Sequence, residues 1–147
     1  MSNPAIRVLV VDDYMPWRGF VALVLSDHPQ FRIVAEADSG ITAIQKTIEL
    51  KPEVVVLDIG LPDMNGIMVA EEILKFAPTT RIIFLTENTS RDIVQAALST
   101  GAQAYVVKSS ASRDLTAALD AVMIRAYFVS AAATSPGIRK HIQHAED

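Results

Sequence analysis

The chain has 147 residues, of which 50% are hydrophobic and 20% are charged. A chain of this size can bury one sizeable core but not the cores of two ordinary domains, so we expect a single domain. The formal net charge of −4 argues against a basic face that binds duplex DNA or RNA. The absence of cysteine excludes a disulfide scaffold and thiolate chemistry, and it fits a reducing compartment, so we expect a cytoplasmic protein.

Neither a signal peptide nor a membrane span is expected. The apolar run Ile6–Val11 is short, has no cluster of positive charge before it, and ends on two aspartates. No apolar stretch approaches the roughly 20 residues that cross a bilayer. We therefore expect no membrane partner.

Apolar runs alternate with helical patterns in the first half of the chain. The β-branched run Ile6–Val11 predicts a strand, and Pro16 suits the first turn of the helix after it. The run Phe31–Ala37 predicts a second strand, followed by a helical pattern that closes before Pro52. The run Val54–Leu57 is apolar throughout, which is typical of a central parallel strand with helices on both faces.

The same alternation continues to residue 126. The remaining predicted elements are a loop over 59–66, a helix from Ile67 to near Pro78, a strand over 81–85, a helix between Ser90 and Gly101, a strand over 104–107 and a helix that opens near Ser112. Five strands that alternate with five helices predict an α/β fold with an open, doubly wound parallel sheet. In such sheets the functional crevice lies at the carboxyl ends of the strands.

Polar residues end four of the five predicted strands. They are Asp12 and Asp13, then Asp58, Thr86 and Lys108. Any one acid could cap a helix or face water, but three carboxylates that converge repel one another, which proton uptake or a hard cation with oxygen ligands relieves. We expect Mg²⁺, which commonly bridges to a phosphate, with the lysine and the threonine hydroxyl able to bind phosphoryl oxygens.

These residues, in this order, resemble the receiver domain of bacterial two-component response regulators. The supporting motifs are VVDD at 10–13, VLDIGLPDMNG at 56–66, and Gly-Ala at 101–102 followed by Lys108. The resemblance runs from about residue 6 to about residue 129. It implies a flavodoxin-like (βα)5 fold with five parallel strands in the order 2-1-3-4-5. It also implies a receiver over 1–130 and a linker or disordered tail over 131–147.

The resemblance assigns a phosphoryl group and a metal ion to the acids. Asp58 would accept a phosphoryl group from the phosphohistidine of a sensor histidine kinase. Asp13 and Asp58 would hold Mg²⁺ directly, Asp12 at least partly through water, and the backbone carbonyl of Gly60 would supply a further oxygen. These assignments follow from the family and not from spacing alone.

The resemblance also implies a switch. Thr86 and Lys108 would bind the phosphoryl oxygens, and Tyr105 matches the ring that moves inward when the threonine shifts. The change would reach the face formed by the fourth helix, the fifth strand and the fifth helix. Ser109 departs from the family pattern, because many receivers have proline there after a cis peptide, and this leaves the reach of Lys108 open.

The end of the chain bears on partners. Residues 127–130 resemble the junction between a receiver and the helix-turn-helix output of the nitrate-regulator type. The expected partners are a sensor histidine kinase, an output DNA-binding domain or another protein, and a second copy of the chain. The chain is either a fragment of a regulator or a stand-alone receiver. His141 and His144 are expected to be solvated rather than bound to a metal.

Two other functions compete with the receiver. A phosphatase with an aspartyl nucleophile normally has a second acid two residues later, where this chain has Gly60, so we expect no enzyme. A phosphorylation-independent interaction module would keep the fold, but such proteins usually lose an acid, the threonine or the lysine, and this chain keeps them all.

Trp17 is either a core residue or part of a partner surface.

Overall fold

The computed structural model describes residues 4–134, which form a parallel sheet between two layers of helices. The tail over 135–147, with His141 and His144, lies outside the described residues. The strands and helices are β1 Ile6–Val11, α1 Met15–Ser26, β2 Phe31–Ala37, α2 Gly40–Leu50, β3 Val54–Leu57, α3 Gly66–Phe76, β4 Arg81–Thr86, α4 Arg91–Ser99, β5 Ala104–Val107, α5 Ala111–Met123 and β6 Phe128–Val129. Within residues 4–134, no helix has the length and apolar character to cross a bilayer.

The sheet has the predicted strand order and one strand more. Its order is β2-β1-β3-β4-β5-β6, and every neighbouring pair is parallel. The predicted α/β fold and the order 2-1-3-4-5 are therefore confirmed. The sixth strand, Phe128–Val129, pairs with Ala104 and Tyr105 of β5. Two residues are too few to give a periodic pattern, so the prediction of five strands did not include it.

Alternate side chains of the central strands enter two separate cores. Val54 and Val56 of β3 lie in the core beneath α1 and α5, whereas Val55 and Leu57 lie in the core beneath α2, α3 and α4. All four side chains are buried. The continuous apolar run of β3 is explained by this burial on both faces, as predicted for a central parallel strand.

Local chemistry fixes several helix ends. Pro16 lies in the first turn of α1, where its missing N–H has no helical partner to lose. The Ser39 hydroxyl accepts a hydrogen bond from the Thr42 amide (3.2 Å) at the start of α2. Gly101 follows α4 with a φ of 103°, a left-handed conformation that suits glycine. Because all neighbouring strands are parallel, each helix and its connections return the chain to the same edge of the sheet before the next strand begins.

Candidate phosphoacceptor site

The carboxyl ends of the strands border one acidic cleft. Its volume is about 530 Å³, and its lining includes all the residues that the sequence predicted for the metal and the phosphoryl group: Asp12, Asp13, Asp58, Gly60, Thr86 and Lys108. Carboxylate oxygens of the three aspartates lie within 4.8 Å of one another. Asp12 and Asp58 are buried and Asp13 is exposed, so the cluster opens to solvent on one side. Tyr105 does not line the cleft and lies beneath it in the core.

Lys108 connects two of the acids. Its Nζ lies 2.8 Å from Asp12 Oδ2 and 3.2 Å from Asp58 Oδ2, and the lysine is buried. Residues 4–134 contain no cis peptide bond, so the Lys108–Ser109 bond is trans. The question that Ser109 raised about the reach of Lys108 is answered, because the ammonium reaches both carboxylates.

The charges in the cleft do not balance. Burial raises the pKa of Asp12, with the Asp58 carboxylate acting in the same direction, and the bonds from Lys108 and the Tyr14 amide oppose this only partly. Burial acts to lower the pKa of Lys108, but Asp12 and Asp58 outweigh it and hold that pKa above its usual value. The lysine therefore remains cationic at neutral pH. Three carboxylates facing one ammonium leave an excess of negative charge, which is the condition that favours a hard cation with oxygen ligands.

Close backbone contacts fix Asp58 at the start of its loop. Asp58 Oδ1 accepts a hydrogen bond from the Ile59 amide (2.8 Å), and the Gly66 amide donates to the Ile59 carbonyl (2.8 Å). A Cβ on Gly66 would lie 2.1 Å from the carbonyl oxygen of Asp58, a distance that no side chain can occupy. Gly66, the last residue of the loop predicted over 59–66, is therefore required for that loop to return this close to Asp58.

Asp63 anchors the same loop to α2, a role that sequence reasoning did not identify. Its carboxylate accepts hydrogen bonds from the amides of Gly40 (2.7 Å) and Ile41 (2.9 Å) at the first turn of the helix. These bonds lower the pKa of Asp63, and the bond from the Ile41 amide has the largest effect. Gly40 and Asp63 are separated by 23 positions, so no local pattern pairs them. An acid in a loop at the carboxyl edge was the only available signal.

The two predicted switch residues contact the same loop residue. Thr86, buried at the end of β4, has its Oγ1 3.4 Å from the Asn88 amide nitrogen. The Tyr105 hydroxyl donates to the Asn88 carbonyl (2.7 Å), and its ring is fully buried. Burial raises the pKa of Tyr105, so the hydroxyl stays protonated and able to donate. Asn88 is thus the structural link between the two positions, a role that sequence reasoning did not assign to it.

Trp17 contributes an aromatic wall to the cleft. Lys108 Nζ lies 4.9 Å from the centre of the Trp17 ring, within the range of a cation–π contact. The ring also meets Phe20 edge to face, with centroids 5.3 Å apart, and packs against the core beneath α1 and α5. The core interpretation of Trp17 is supported, and the contact with the lysine adds a role at the site.

Comparison with known proteins agrees with this geometry. Residues 8–120 match the family described as the response regulator receiver domain. The chain is 38% identical over 118 residues to the protein-glutamate methylesterase/protein-glutamine glutaminase of Thermotoga maritima, covering 79% of this chain and 34% of that protein. It is 32% identical over 114 residues to the response regulator protein VraR of Staphylococcus saprophyticus, covering 78% of this chain and 54% of that one.

A solved structure extends the similarity to nearly the whole chain. The two-component response regulator of the LuxR family from Aurantimonas sp. SI85-9A1 superposes with a TM-score of 0.82 at 27% identity. The superposition covers 97% of this chain and 99% of that one. The chain belongs to the response regulator receiver domain family.

Membership in this family confirms the predicted class of function, a response-regulator receiver, and does not favour the phosphorylation-independent alternative. The chain spans about a third of the length of the methylesterase and just over half of that of VraR. One of these relatives is named as an enzyme and the other as a response regulator.

Proposed function

We propose that Asp58 is the phosphoacceptor of this receiver and that a sensor histidine kinase supplies the phosphoryl group in the presence of Mg²⁺. One observation carries the proposal: the Asp58 carboxylate lies both within the three-acid cluster and 3.2 Å from the ammonium of Lys108. The acids would hold a cation beside the transferred group, and the lysine would bind the oxygens of that group.

The donor set fits Mg²⁺. Asp12, Asp13 and Asp58 offer only oxygen ligands and an excess of negative charge, and the exposed side of the cluster leaves room for water ligands. The Gly60 backbone lines the same cleft and would add a carbonyl oxygen. When bound, the ion would neutralise charge on the phosphoryl oxygens.

The transfer itself needs few groups of the protein. A carboxylate oxygen of Asp58 attacks phosphorus, the P–N bond to the kinase histidine breaks, and its electron pair leaves with the imidazole. Lys108, which now faces Asp58 Oδ2, pairs with a phosphoryl oxygen, and the Thr86 hydroxyl donates to another. Positioning and charge neutralisation supply the catalysis, as in other phosphoryl transfers.

The output follows from the contacts of Asn88. A Thr86 hydroxyl that turns toward the phosphoryl group leaves the Asn88 amide, and Tyr105 is bound to the carbonyl of the same residue. We propose that this change reaches the α4-β5-α5 face and controls a DNA-binding output domain or another protein partner, in transcription regulation. We also propose that the protein forms a homodimer and is cytoplasmic. The receiver would span residues 1–130, with a linker from residue 131, and the chain would have no enzymatic activity of its own.

Intact-protein mass after incubation with Mg²⁺ and acetyl phosphate tests the proposal. We expect one labile phosphoryl group on the wild type and none on Asp58→Asn. Asp27→Asn, which changes an exposed acid after α1, is the matched control and should label like the wild type. Equal labelling of Asp58→Asn, or an unlabelled wild type beside a labelled known receiver, would show that Asp58 is not the phosphoacceptor.

A further inference from the structure

A second polar cluster lies behind Lys108, outside the lining of the acidic cleft. It consists of Ser110, Asp114 and Ser130, and we call it the Asp114 cluster. Asp114 Oδ2 accepts hydrogen bonds from the hydroxyls of Ser110 and Ser130, each at 2.8 Å. Ser130 is 0% exposed and Asp114 7%. A carboxylate buried this deeply is costly unless it is bonded, so its partners are held with it.

The Asp114 cluster binds the main chain next to Lys108. The Ser130 hydroxyl accepts a hydrogen bond from the Val107 amide (3.0 Å) and donates its single hydrogen to Asp114. Ser110 Oγ also lies 3.3 Å from the Val107 carbonyl oxygen. Both polar groups of the residue before Lys108 therefore face the cluster.

The charge of Asp114 strengthens these bonds. Burial acts to raise the pKa of Asp114, but the hydroxyls of Ser110 and Ser130 and the guanidinium of Arg113 together hold it below the ordinary value. The carboxylate is ionised at neutral pH and is an acceptor only. Hydrogen bonds to an ionised acceptor are roughly twice as strong as those between neutral groups.

The backbone that the cluster holds also sets where the Lys108 side chain begins. Lys108 opens a 3-10 turn over Lys108–Ser110, which leads into α5 and its first-turn residue Asp114. The side chain must extend from this turn to place Nζ between Asp12 and Asp58. Ser109 is exposed, so the restraint on the turn comes from its neighbours on either side.

We propose that Asp114 and Ser130 are positioning residues for Lys108: by fixing the main chain at Val107, they hold the ammonium against Asp58 and so set the rate of phosphoryl transfer. This inference rests on the proposed function of Asp58. Neither residue touches the cleft, and both act through the lysine. Ser130 directly follows β6, so the segment that leaves the sheet takes part in ordering the site.

The first test reads the position of Lys108 without any phosphoryl chemistry. Trp17 is the only tryptophan of the chain and lies 4.9 Å from Lys108 Nζ, so its fluorescence reports on the ammonium. Lys108→Met defines the emission without the contact. We expect Ser130→Ala and Asp114→Asn to shift the emission toward that of Lys108→Met. Ser99→Ala, which removes an exposed hydroxyl bonded to the Gln95 carbonyl on α4, should leave it unchanged.

The second test measures the rate of labelling by acetyl phosphate with Mg²⁺. We expect Ser130→Ala to lower the maximal rate about tenfold with little change in the donor concentration that gives half of that rate, because misplacement of a catalytic group affects the reacting geometry. Asp114→Asn should lower it less, since an amide oxygen still accepts hydrogen bonds. Ser99→Ala should label at the wild-type rate.

The two readouts separate the possible failures. Folded variants with wild-type emission and wild-type rate would overturn the inference, and so would a slower rate without a change in emission, because the effect would then not pass through Lys108. If the wild type itself does not label, the proposed function fails while the emission still decides whether the cluster places the lysine. Asp114→Asn keeps the shape of the side chain and decides the question if Ser130→Ala does not fold.

Discussion

The two ends of the sheet use charged side chains differently. At the amino ends of the strands, the Arg7 guanidinium donates to the carbonyls of Leu50 and Lys51 at the end of α2, and the Glu53 carboxylate accepts from the Arg7 amide (3.0 Å). The charges there bind main-chain groups that the helix and strand ends leave without partners. They hold elements together, and opposite signs lie side by side.

At the carboxyl ends, like charges converge instead. Asp12, Asp13 and Asp58 share one cleft with a single ammonium. An arrangement that repels itself persists only because the surrounding sheet imposes it, and binding of a cation and an anion can then relieve it. Charges at the amino ends therefore serve stability, and we call the carboxyl ends, which carry the proposed phosphoacceptor, the reactive end.

The largest effect that we expect comes from Gly66→Ala at the reactive end. The new Cβ would meet the backbone of Asp58 and Ile59, which cannot move aside as a flexible side chain can. We expect a loss of about 1–3 kcal/mol in the free energy of unfolding, from urea denaturation, together with slower labelling of Asp58. Gly60→Ala in the same loop meets nothing within 4 Å and should change stability far less. Equal stability of the two variants would contradict the steric argument.

Asp13→Asn should separate reactivity from stability. Removal of one of three clustered charges is expected to weaken Mg²⁺ binding about tenfold, a change of about 1.4 kcal/mol, because the ion loses a charged ligand. Without the ion, the same variant should be slightly more stable than the wild type, since repulsion falls. Calorimetric Mg²⁺ titration and urea denaturation measure the two quantities. A variant that is less stable in the absence of metal would show that the cluster is not under electrostatic strain.

The opposite behaviour is expected at the amino end. Arg7→Met removes the donors to the Leu50 and Lys51 carbonyls but keeps an aliphatic side chain. We expect a loss of about 1 kcal/mol in unfolding free energy and unchanged Mg²⁺ affinity. Arg32→Met, at an exposed position of β2, is the control for loss of positive charge. An altered Mg²⁺ affinity in Arg7→Met would mean that the two ends are coupled.

Asp63 gives the smallest effect and sharpens the comparison, because it lies near the reactive end but binds main-chain amides. Its pKa is below the ordinary value of 3.8. A carboxyl group whose pKa is lower in the folded state stabilises the fold above its unfolded pKa, and that stabilisation is lost as the pH falls through the folded value. The stability difference between the wild type and Asp63→Asn should therefore shrink as the pH falls below 3.8. A difference that is independent of pH would rule out a role for the charge.

Patterns among neighbouring residues were enough to predict the strands and the acids of the cleft. The apolar runs predicted the strands because a buried parallel strand must be apolar on both faces, as Val54–Leu57 is. The acids of the cleft were predictable because parallel strands bring their carboxyl ends to one edge. Their individual roles in metal and phosphoryl binding stay predictions.

Contacts between residues that are far apart in the sequence could not be predicted from it. Asp63 binds an amide 23 positions away, and Asp114 is joined to Ser130 across 16 positions, both through tertiary packing that no spacing rule encodes. Strand β6 has only two residues and is recognisable from its partner β5, not from its own composition. The position of Lys108 likewise required the structure, since Ser109 left it open.

The short sixth strand also bears on self-association. An open strand edge offers a row of N–H and C=O groups on which a second molecule can add a strand, and long, flat edges are prone to aggregation. This sheet ends on one side in the two residues of β6. On the other side it ends in β2, which carries the exposed charges of Arg32 and Glu36 and pairs with β1 in an irregular register. Within residues 4–134, both edges of the sheet are thus poor templates for the addition of a strand from a second copy.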